Sequence, residues 1–326
     1  MRFFCILLFV SLSIFPYNWT PRIKVKNGTT GNLATVDLKL ILLSGGMLPF
    51  YEAKNMQGEF SLPTQVIDDE SPVLIQVNYK GVNYNKIVPP VPKFRDTTQE
   101  IIVYETTEEK KFLTIKGLIQ VSKRENHLLV NKLYLLNNKS NPKFTILNSK
   151  GLEVFIPKEA QEITAQLLQG EKGMPIPLSL SPGNLGQVIQ RPILPGESSL
   201  HISYLISSTA ETIELEDKLI FEKENETLLF IKPTDMKVSS SNLLETISSE
   251  EIPEGMKAYR VKYDESRTVK LSFRGGSFEN EFPKQRKIVN GTIFDTPEKS
   301  ILGVIAVLAF LYSLYFLFHP QQQVNK

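Results

Sequence analysis

Beyond its fifth position the chain contains no cysteine. The single one, Cys5, sits inside an apolar run at the very start. A chain cut after that run has no disulfide, no thiol nucleophile and no cysteine-based metal site. Its stability must come from apolar burial and strand pairing. Cys5 precedes most of the apolar run, which argues against a lipid-attachment role. Histidine is nearly as scarce, with only His127, His201 and His319. They form no His-x-x-x-His or His-Glu-x-x-His spacing, and no Asp-rich calcium loop occurs, so neither a zinc nor an EF-hand site is supported. A Gly-x-Ser-x-Gly elbow is missing, as is a glycine-rich phosphate loop after a strand. His201 stands between Ser199 and Ser203, but triads are assembled by geometry and not by sequence proximity. A strand histidine beside ordinary strand serines is the plainer reading. "DDE" at 68–70 reads as a hydrated turn, because calcium needs about 6–8 oxygens and few others are near in sequence. No catalytic, cofactor-binding or metal-binding residue is therefore assigned, and no cofactor is expected.

Strong charge of either sign is also lacking. The formal net charge is +2, with 37 basic and 35 acidic residues. That balance points to neither nucleic acid nor a strongly acidic partner. Five Asn-x-Ser/Thr sequons occur, at Asn18, Asn27, Asn138, Asn225 and Asn290. Two of them are Asn-Gly pairs, and the set reads as turn chemistry in place of glycosylation.

Long apolar runs occur only at the two ends. Arg2 followed by "FFCILLFVSLSIF" (3–15) has the form of a signal peptide over 1–15, too short to span a bilayer comfortably. Ser11 and Ser13 supply a small-x-small pair for cleavage near residue 13; an uncleaved anchor is the alternative. "ILGVIAVLAFLYSLYFLF", from Ile301 to Phe318, is free of charge and stops at His319-Pro320. A run of about 18 apolar residues is long enough to cross the hydrocarbon core as a helix. The expectation is a single-pass membrane protein with a transmembrane helix at 300–318 and a cytoplasmic tail at 319–326. The bulk of the chain would be extracytoplasmic, periplasmic in a bacterium. Lys284, Arg286, Lys287 and Lys299 precede the helix and only Lys326 follows it. Those charges run against the positive-inside rule, so the orientation rests on the signal sequence.

Between the ends the pattern has a period of two. Val36, Leu38 and Leu40 alternate with Asp37 and Lys39, and Val73, Ile75, Val77 and Tyr79 share a face. The runs at 100–106, 113–121, 127–138, 152–157 and 199–207 repeat the signal, bounded by turns at 27–32, 44–47, 57–59 and 79–84. Such spacing predicts half-buried strands in an all-β, antiparallel sandwich architecture. Gly58 in "NMQGEFSLP" (55–63) supplies the positive φ of a tight reversal, after which Phe60 and Leu62 share a face. Pro63 cannot donate to a ladder, so that strand ends there or lies at an edge. "PKEAQEITAQLLQG" (157–170) reads as a helical turn running into a strand. Two strands with a charged turn follow over 213–233, a polar loop over 239–255, and a closing hairpin from 257–263 and 268–276. The charged break "ETTEEKKF" (105–112) marks a boundary. The organisation is then a sandwich at 20–105, a second at 110–210, a third β-region at 211–280 and a stalk at 281–299. No internal repeat of fixed period is present.

The segment "KVKNGTTGNLATVDLKLILL…NMQGEFSLP…SPVLIQVNYKGVNYNKIVPP" resembles the carboxypeptidase regulatory-like, or transthyretin-like, β-sandwich domain. Gly31, Val36, Leu38, Leu40, Gly58, Phe60, Val77, Tyr79 and Gly81 stand at the matching places over residues 23–104. The structural motif is carried by Gly31, Gly58, Phe60, Tyr79 and Gly81. The opening departs from the family's usual Gly-x-Val start. The wider layout, with "FIPKEA" and "RPILPGESSLHISYLI", resembles membrane-anchored bacterial envelope proteins. The resemblance implies a non-catalytic domain and tandem sandwiches, Ig-like or transthyretin-like, ahead of one C-terminal transmembrane helix.

The function expected from this reading is that of an interaction or assembly module of the cell envelope. It would be anchored in the membrane and would engage a protein partner, with strand addition at an edge as one route. The alternative is a carbohydrate- or other ligand-binding module. A sugar platform would draw on Trp19, Tyr79, Tyr84 and Tyr104, although such residues more often pack into cores with a polar tip. An enzyme with a dispersed active site would need a pocket gathering carboxylates around His127 or His201.

Overall fold

The computed structural model describes residues 16–276, except 45, 69, 125, 171–174, 185, 208–210, 220–225, 243 and 249–251. The expected signal peptide, stalk, transmembrane helix with Ile301 and Phe318, and tail lie outside the described residues. Among the described residues no helix is long and apolar enough to cross a membrane.

Strands dominate, as the alternation requires. The first part runs β1 (Pro16–Trp19), β2 (Arg22–Asn27), β3 (Thr35–Leu42), β4 (Leu48–Gln57) and β5 (Glu59–Ser61). It continues with β6 (Gln65–Asp68), β7 (Val73–Tyr79), β8 (Val82–Val88), the four-residue helix α1 (Pro92–Arg95) and β9 (Gln99–Val103). Three sheets result, ordered β4-β3-β7-β8, β5-β2-β9 and β1-β6. All three send side chains into one core that includes Trp19, Ile23, Val25, Leu38, Ile75, Val77, Ile101 and Val103. In β3, Val36, Leu38 and Leu40 are buried while Asp37 and Lys39 face out, as their period-two placement demands.

The second part opens with β10 (Thr106–Thr107), a single 3-10 turn (Lys110–Phe112), β11 (Leu113–Arg124) and β12 (His127–Asn138). Shorter strands follow: β13 (Thr145–Ile146), β14 (Leu152–Val154), β15 (Gln161–Gln169), β16 (Ile176–Pro177), β17 (Ser181–Pro182) and β18 (Gln187–Ile189). Next come β19 (Gly196–Ser207), β20 (Thr212–Lys218), β21 (Glu226–Lys232) and β22 (Lys237–Ser240). The chain closes with β23 (Leu244–Ile247), β24 (Lys257–Lys262) and β25 (Thr268–Arg274). An eight-stranded sheet, β16-β15-β19-β12-β11-β21-β24-β23, shares a core with the three-stranded sheets β20-β25-β22 and β14-β18-β17. Strands from 113–207 and from 226–262 thus lie in one sheet.

Several local expectations are corrected. Pairing is not purely antiparallel: β2–β9, β10–β13 and β11–β21 run parallel. Gly58 has φ 66° as expected, but it does not close a hairpin. β4 pairs with β3 while β5 pairs with β2, so Gly58 hands the chain from one sheet to the next. Its N–H donates to Ala34 O (3.0 Å) and its carbonyl accepts from Val25 N (2.8 Å), fixing the crossing on both sides. β5 ends before Pro63 and lies at an edge, as proline requires. The pair 257–263 and 268–276 is no hairpin either, since β24 and β25 belong to different sheets. The 239–255 loop contains parts of β22 and all of β23. At 157–170, Ala160 N–H bonds Pro157 O (3.1 Å) in a reverse turn and the rest is the strand β15. Tyr79 and Val82 pair across Lys80 and Gly81, which have φ 49° and 79°, the conformation of a two-residue primed hairpin turn.

Candidate functional site

The glycine and aromatic motif residues hold architecture together. Gly31 (φ 81°) turns the 28–32 loop, and its N–H donates to Asn27 O (2.8 Å). Phe60 is half-buried against the first core. Tyr79 donates its hydroxyl to Glu105 Oε1 (2.6 Å), and Asn27 Nδ2 donates to the same oxygen (2.8 Å). The Lys80 ammonium pairs with the other carboxylate oxygen. These bonds, that to Lys80 foremost, hold the Glu105 carboxyl below its ordinary value. Burial, reinforced by the Glu105 charge, pushes the Tyr79 hydroxyl up. Asn27 Oδ1 also accepts from Thr29 N (2.9 Å), an Asx turn. Asn27 and Asn138 are both buried, with side chains engaged in bonds, which fits turn chemistry at these sequons.

The aromatic residues considered for sugar stacking are built into the fold. Trp19 is 1% exposed and donates its indole N–H to Arg95 O (2.9 Å). Tyr84 is buried and tilts against Tyr104, with centroids 6.2 Å apart at 52°. Neither arrangement is an open, flat platform.

The outer face of the eight-stranded sheet has a chemical character of its own. Register places Leu118, Leu133 and His201 in one row, with Leu228 beyond Leu118. The next row carries Gln120, Asn131 and Ser203, with Phe230 beyond Gln120. Leu129, Leu205 and Leu135 extend this face, with Leu135 51% and Leu228 37% exposed. Charged groups border it: Lys116 stands across from Leu135, Arg260 across from Leu228, Lys232 across from Ser122, Glu197 across from Asn137, and Arg124 and Glu162 lie beside Leu129 and Leu205. Two shallow depressions open here and share Thr164 and Ser203. One, about 470 Å³, is lined by His201, Gln120, Asn131, Gln166, Leu118 and Leu133 among others. The other, about 440 Å³, brings Arg124, His127 and Glu162 together beside Leu129 and Leu205. Glu162 stands at a β-bulge with φ 51°, where the register of β15 on β19 shifts. His201 Nε2 lies 3.2 Å from Ser199 Oγ in an exposed contact. Among the described residues no group of three or more His, Cys, Asp or Glu side chains stands in a metal-binding arrangement.

The inner face holds a buried ion pair that belongs to no sequence motif. Lys132 of β12 and Asp217 of β20 form an ion pair with side chains 0% and 4% exposed. The Lys132 ammonium also donates to Phe155 O (2.9 Å) and lies 5.4 Å and 5.8 Å from the Phe155 and Tyr204 ring centres. Tyr263 donates its hydroxyl to Asp217 Oδ2 (2.5 Å). Burial, with the Asp217 charge adding to it, pushes the hydroxyls of Tyr134, Tyr204 and Tyr263 well above their ordinary value. The sequence carried the signal. Lys132 and Asp217 each occupy the apolar phase of an alternating run, after Leu128 and Val130 and after Ile213 and Leu215.

No family model and no curated protein matches the chain. Among solved structures it is similar to the 2F4 variant of McoA multicopper oxidase from Aquifex aeolicus, at 11% identity and TM-score 0.10. McoA itself aligns at 12% identity and TM-score 0.08. Each alignment covers 79% of this chain and 83% of that one. Likeness this weak carries no argument about fold or chemistry.

Proposed function

We propose that the chain is a non-catalytic, membrane-anchored β-sandwich protein of the cell envelope that binds another protein through the outer face of its long sheet. Its N-terminal part reads as a carboxypeptidase regulatory-like sandwich, a reading supported by three sheets that share one core over residues 16–104. The second part reads as a further sandwich of the same broad kind.

The observation that carries the binding role is the outer face itself. Leu118, Leu133 and Phe230 lie among neutral polar side chains, while charge enters at the edges of the patch, with Lys116 across from Leu135, Arg260 across from Leu228, and Arg124 and Glu162 beside Leu129 and Leu205. An apolar, charge-depleted centre with a polar rim is the anatomy of a protein interface. A carbohydrate or other small ligand is the alternative, favoured by the amides and hydroxyls around His201. That depression lacks the aromatic ring a sugar would stack on.

The test is site-specific photo-crosslinking of the full-length chain in intact cells, from Leu135 and Leu228, with exposed Lys54 as the control position. A discrete protein adduct from the two face positions and none from Lys54 supports the proposal. Free face positions, together with saturable glycan binding lost on Gln120→Ala, would transfer the site to the alternative.

A further inference from the structure

We propose that Lys132 and Asp217 condense with each other into an intramolecular amide bond, a self-formed covalent cross-link between two sheets of the second core. The two residues are 85 positions apart and come from different sheets, β12 and β20. Their side chains meet nose to nose inside the core, the ammonium bonded to Asp217 Oδ1. A disulfide is excluded beyond Cys5, so an amide at this place would do the cross-linking that cysteines do in other exported β-proteins.

The site is dry, and two ions there bear a large desolvation penalty that condensation would remove. The reaction begins with transfer of one proton from Nζ to the carboxylate, which leaves an amine and an acid. Lys132 and the phenols Tyr134, Tyr204 and Tyr263 are titratable groups that face Asp217. Phe155 O, accepting from Nζ at 2.9 Å, fixes the amine in place. Tyr263, donating to Oδ2 at 2.5 Å, polarises the carbonyl and holds the oxygen on which charge develops.

The step balances without a co-reactant. The Nζ lone pair attacks Asp217 Cγ, forming the C–N bond while the carbonyl pair moves onto Oδ2. A proton passes from nitrogen to Oδ1, the Cγ–Oδ1 bond breaks, and one water leaves as the carbonyl reforms. Nothing is oxidised or reduced. Fixed placement of amine and acid supplies the effective concentration that a reaction between free side chains lacks.

Intact-mass spectrometry of the denatured full-length protein, paired with a tryptic digest, decides the matter. The expected result is a mass one water below that of the unlinked chain, and a branched peptide joining the Lys132 and Asp217 segments. Cleavage after Lys132 should be lost. Asp217→Ala should restore the missing water, Asp217→Asn should lose ammonia in its place, and Tyr263→Phe should slow the reaction. Unlinked Lys132 and Asp217 peptides from the folded wild-type chain overturn the proposal, as does a water loss that maps elsewhere. The wild-type digest is decisive even if a variant fails to fold.

Discussion

The hydroxyls of Tyr84 and Thr145, 61 residues apart, meet at 2.8 Å in a buried contact that joins the two cores of the chain. Tyr84 belongs to the first core, and Thr145 opens β13, which pairs in parallel with β10 just past the charged break. The same hydroxyl also reaches Tyr104 O and accepts from Tyr104 N, each at 3.1 Å. Tyr84→Phe keeps the ring and removes all three bonds, leaving buried polar groups unsatisfied. The expected loss is about 1–3 kcal/mol in urea unfolding. Thr145→Val should cost less, because Tyr84 keeps its bonds to Tyr104.

Gly58→Ala should destabilise the chain by about 1–2 kcal/mol, the cost of a side chain in the left-handed region. An added Cβ would also lie 2.8 Å from Leu33 Cδ1, which the 56% exposed side chain can swing away, and 3.2 Å from Leu33 Cβ, which needs a small shift. Backbone strain therefore dominates. Gly81 has φ 79° and open space around it, so Gly81→Asn should be nearly neutral, since asparagine tolerates this conformation. Thermal unfolding of the two variants side by side checks the contrast.

These positions show what a one-dimensional pattern holds. Alternation located β3, β7, β12 and β19 because each has one dry face and one wet face, and burial writes that difference into the sequence. It could not say which strand pairs with which. Gly58 and the segment between Lys262 and Thr268 look like hairpin turns locally, yet each carries the chain between sheets. Partner choice is set by the core as a whole. The outer face of the long sheet was hidden for a related reason, because Leu118, Leu133 and Leu228 become neighbours only through non-local register. Lys132 and Asp217 were legible as charges in an apolar phase; that they meet was not.

Removing one member of that pair should cost more than removing both. Lys132→Met leaves Asp217 buried with only the Tyr263 hydroxyl bond, for an expected loss of about 3–5 kcal/mol. A Lys132→Met, Asp217→Leu double variant should be more stable than the single one, because no buried charge remains, yet stay below wild type by the contribution of the lost cross-link. Denaturant unfolding of the three proteins tests this. A double variant as unstable as the single one would show that packing, and not the stranded charge, sets the cost.

Acid should loosen the packing around the first core through Glu105. At neutral pH its carboxylate is ionised in both folded and unfolded chains, and the bonds from Lys80, Tyr79 and Asn27 stabilise the fold in full. The folded-state value lies below the ordinary 4.5, so on acidification the unfolded chain takes up the proton first. The contribution declines from about that pH and is gone once the folded carboxyl is protonated. Glu105→Gln should therefore be less stable than wild type at neutral pH and approach it at low pH. A stability difference independent of pH would assign Glu105 a packing role only.

Charge placed on the outer face of the long sheet should abolish partner binding without unfolding the chain. Leu135 is 51% exposed, so Leu135→Glu adds a solvated carboxylate with little change in the core. Surface changes of this kind typically shift stability by no more than about 0.5 kcal/mol. At an interface the same carboxylate loses its water on binding together with Lys116, which stands across from it on β11, and a buried pair still bears a desolvation penalty of several kcal/mol per ion. The expected signature is an unchanged thermal midpoint with loss of the crosslinked adduct from Leu228. Lys54→Glu, on the exposed β4, should leave both unaltered. Retention of the Leu228 adduct in the Leu135→Glu protein would place the binding surface elsewhere.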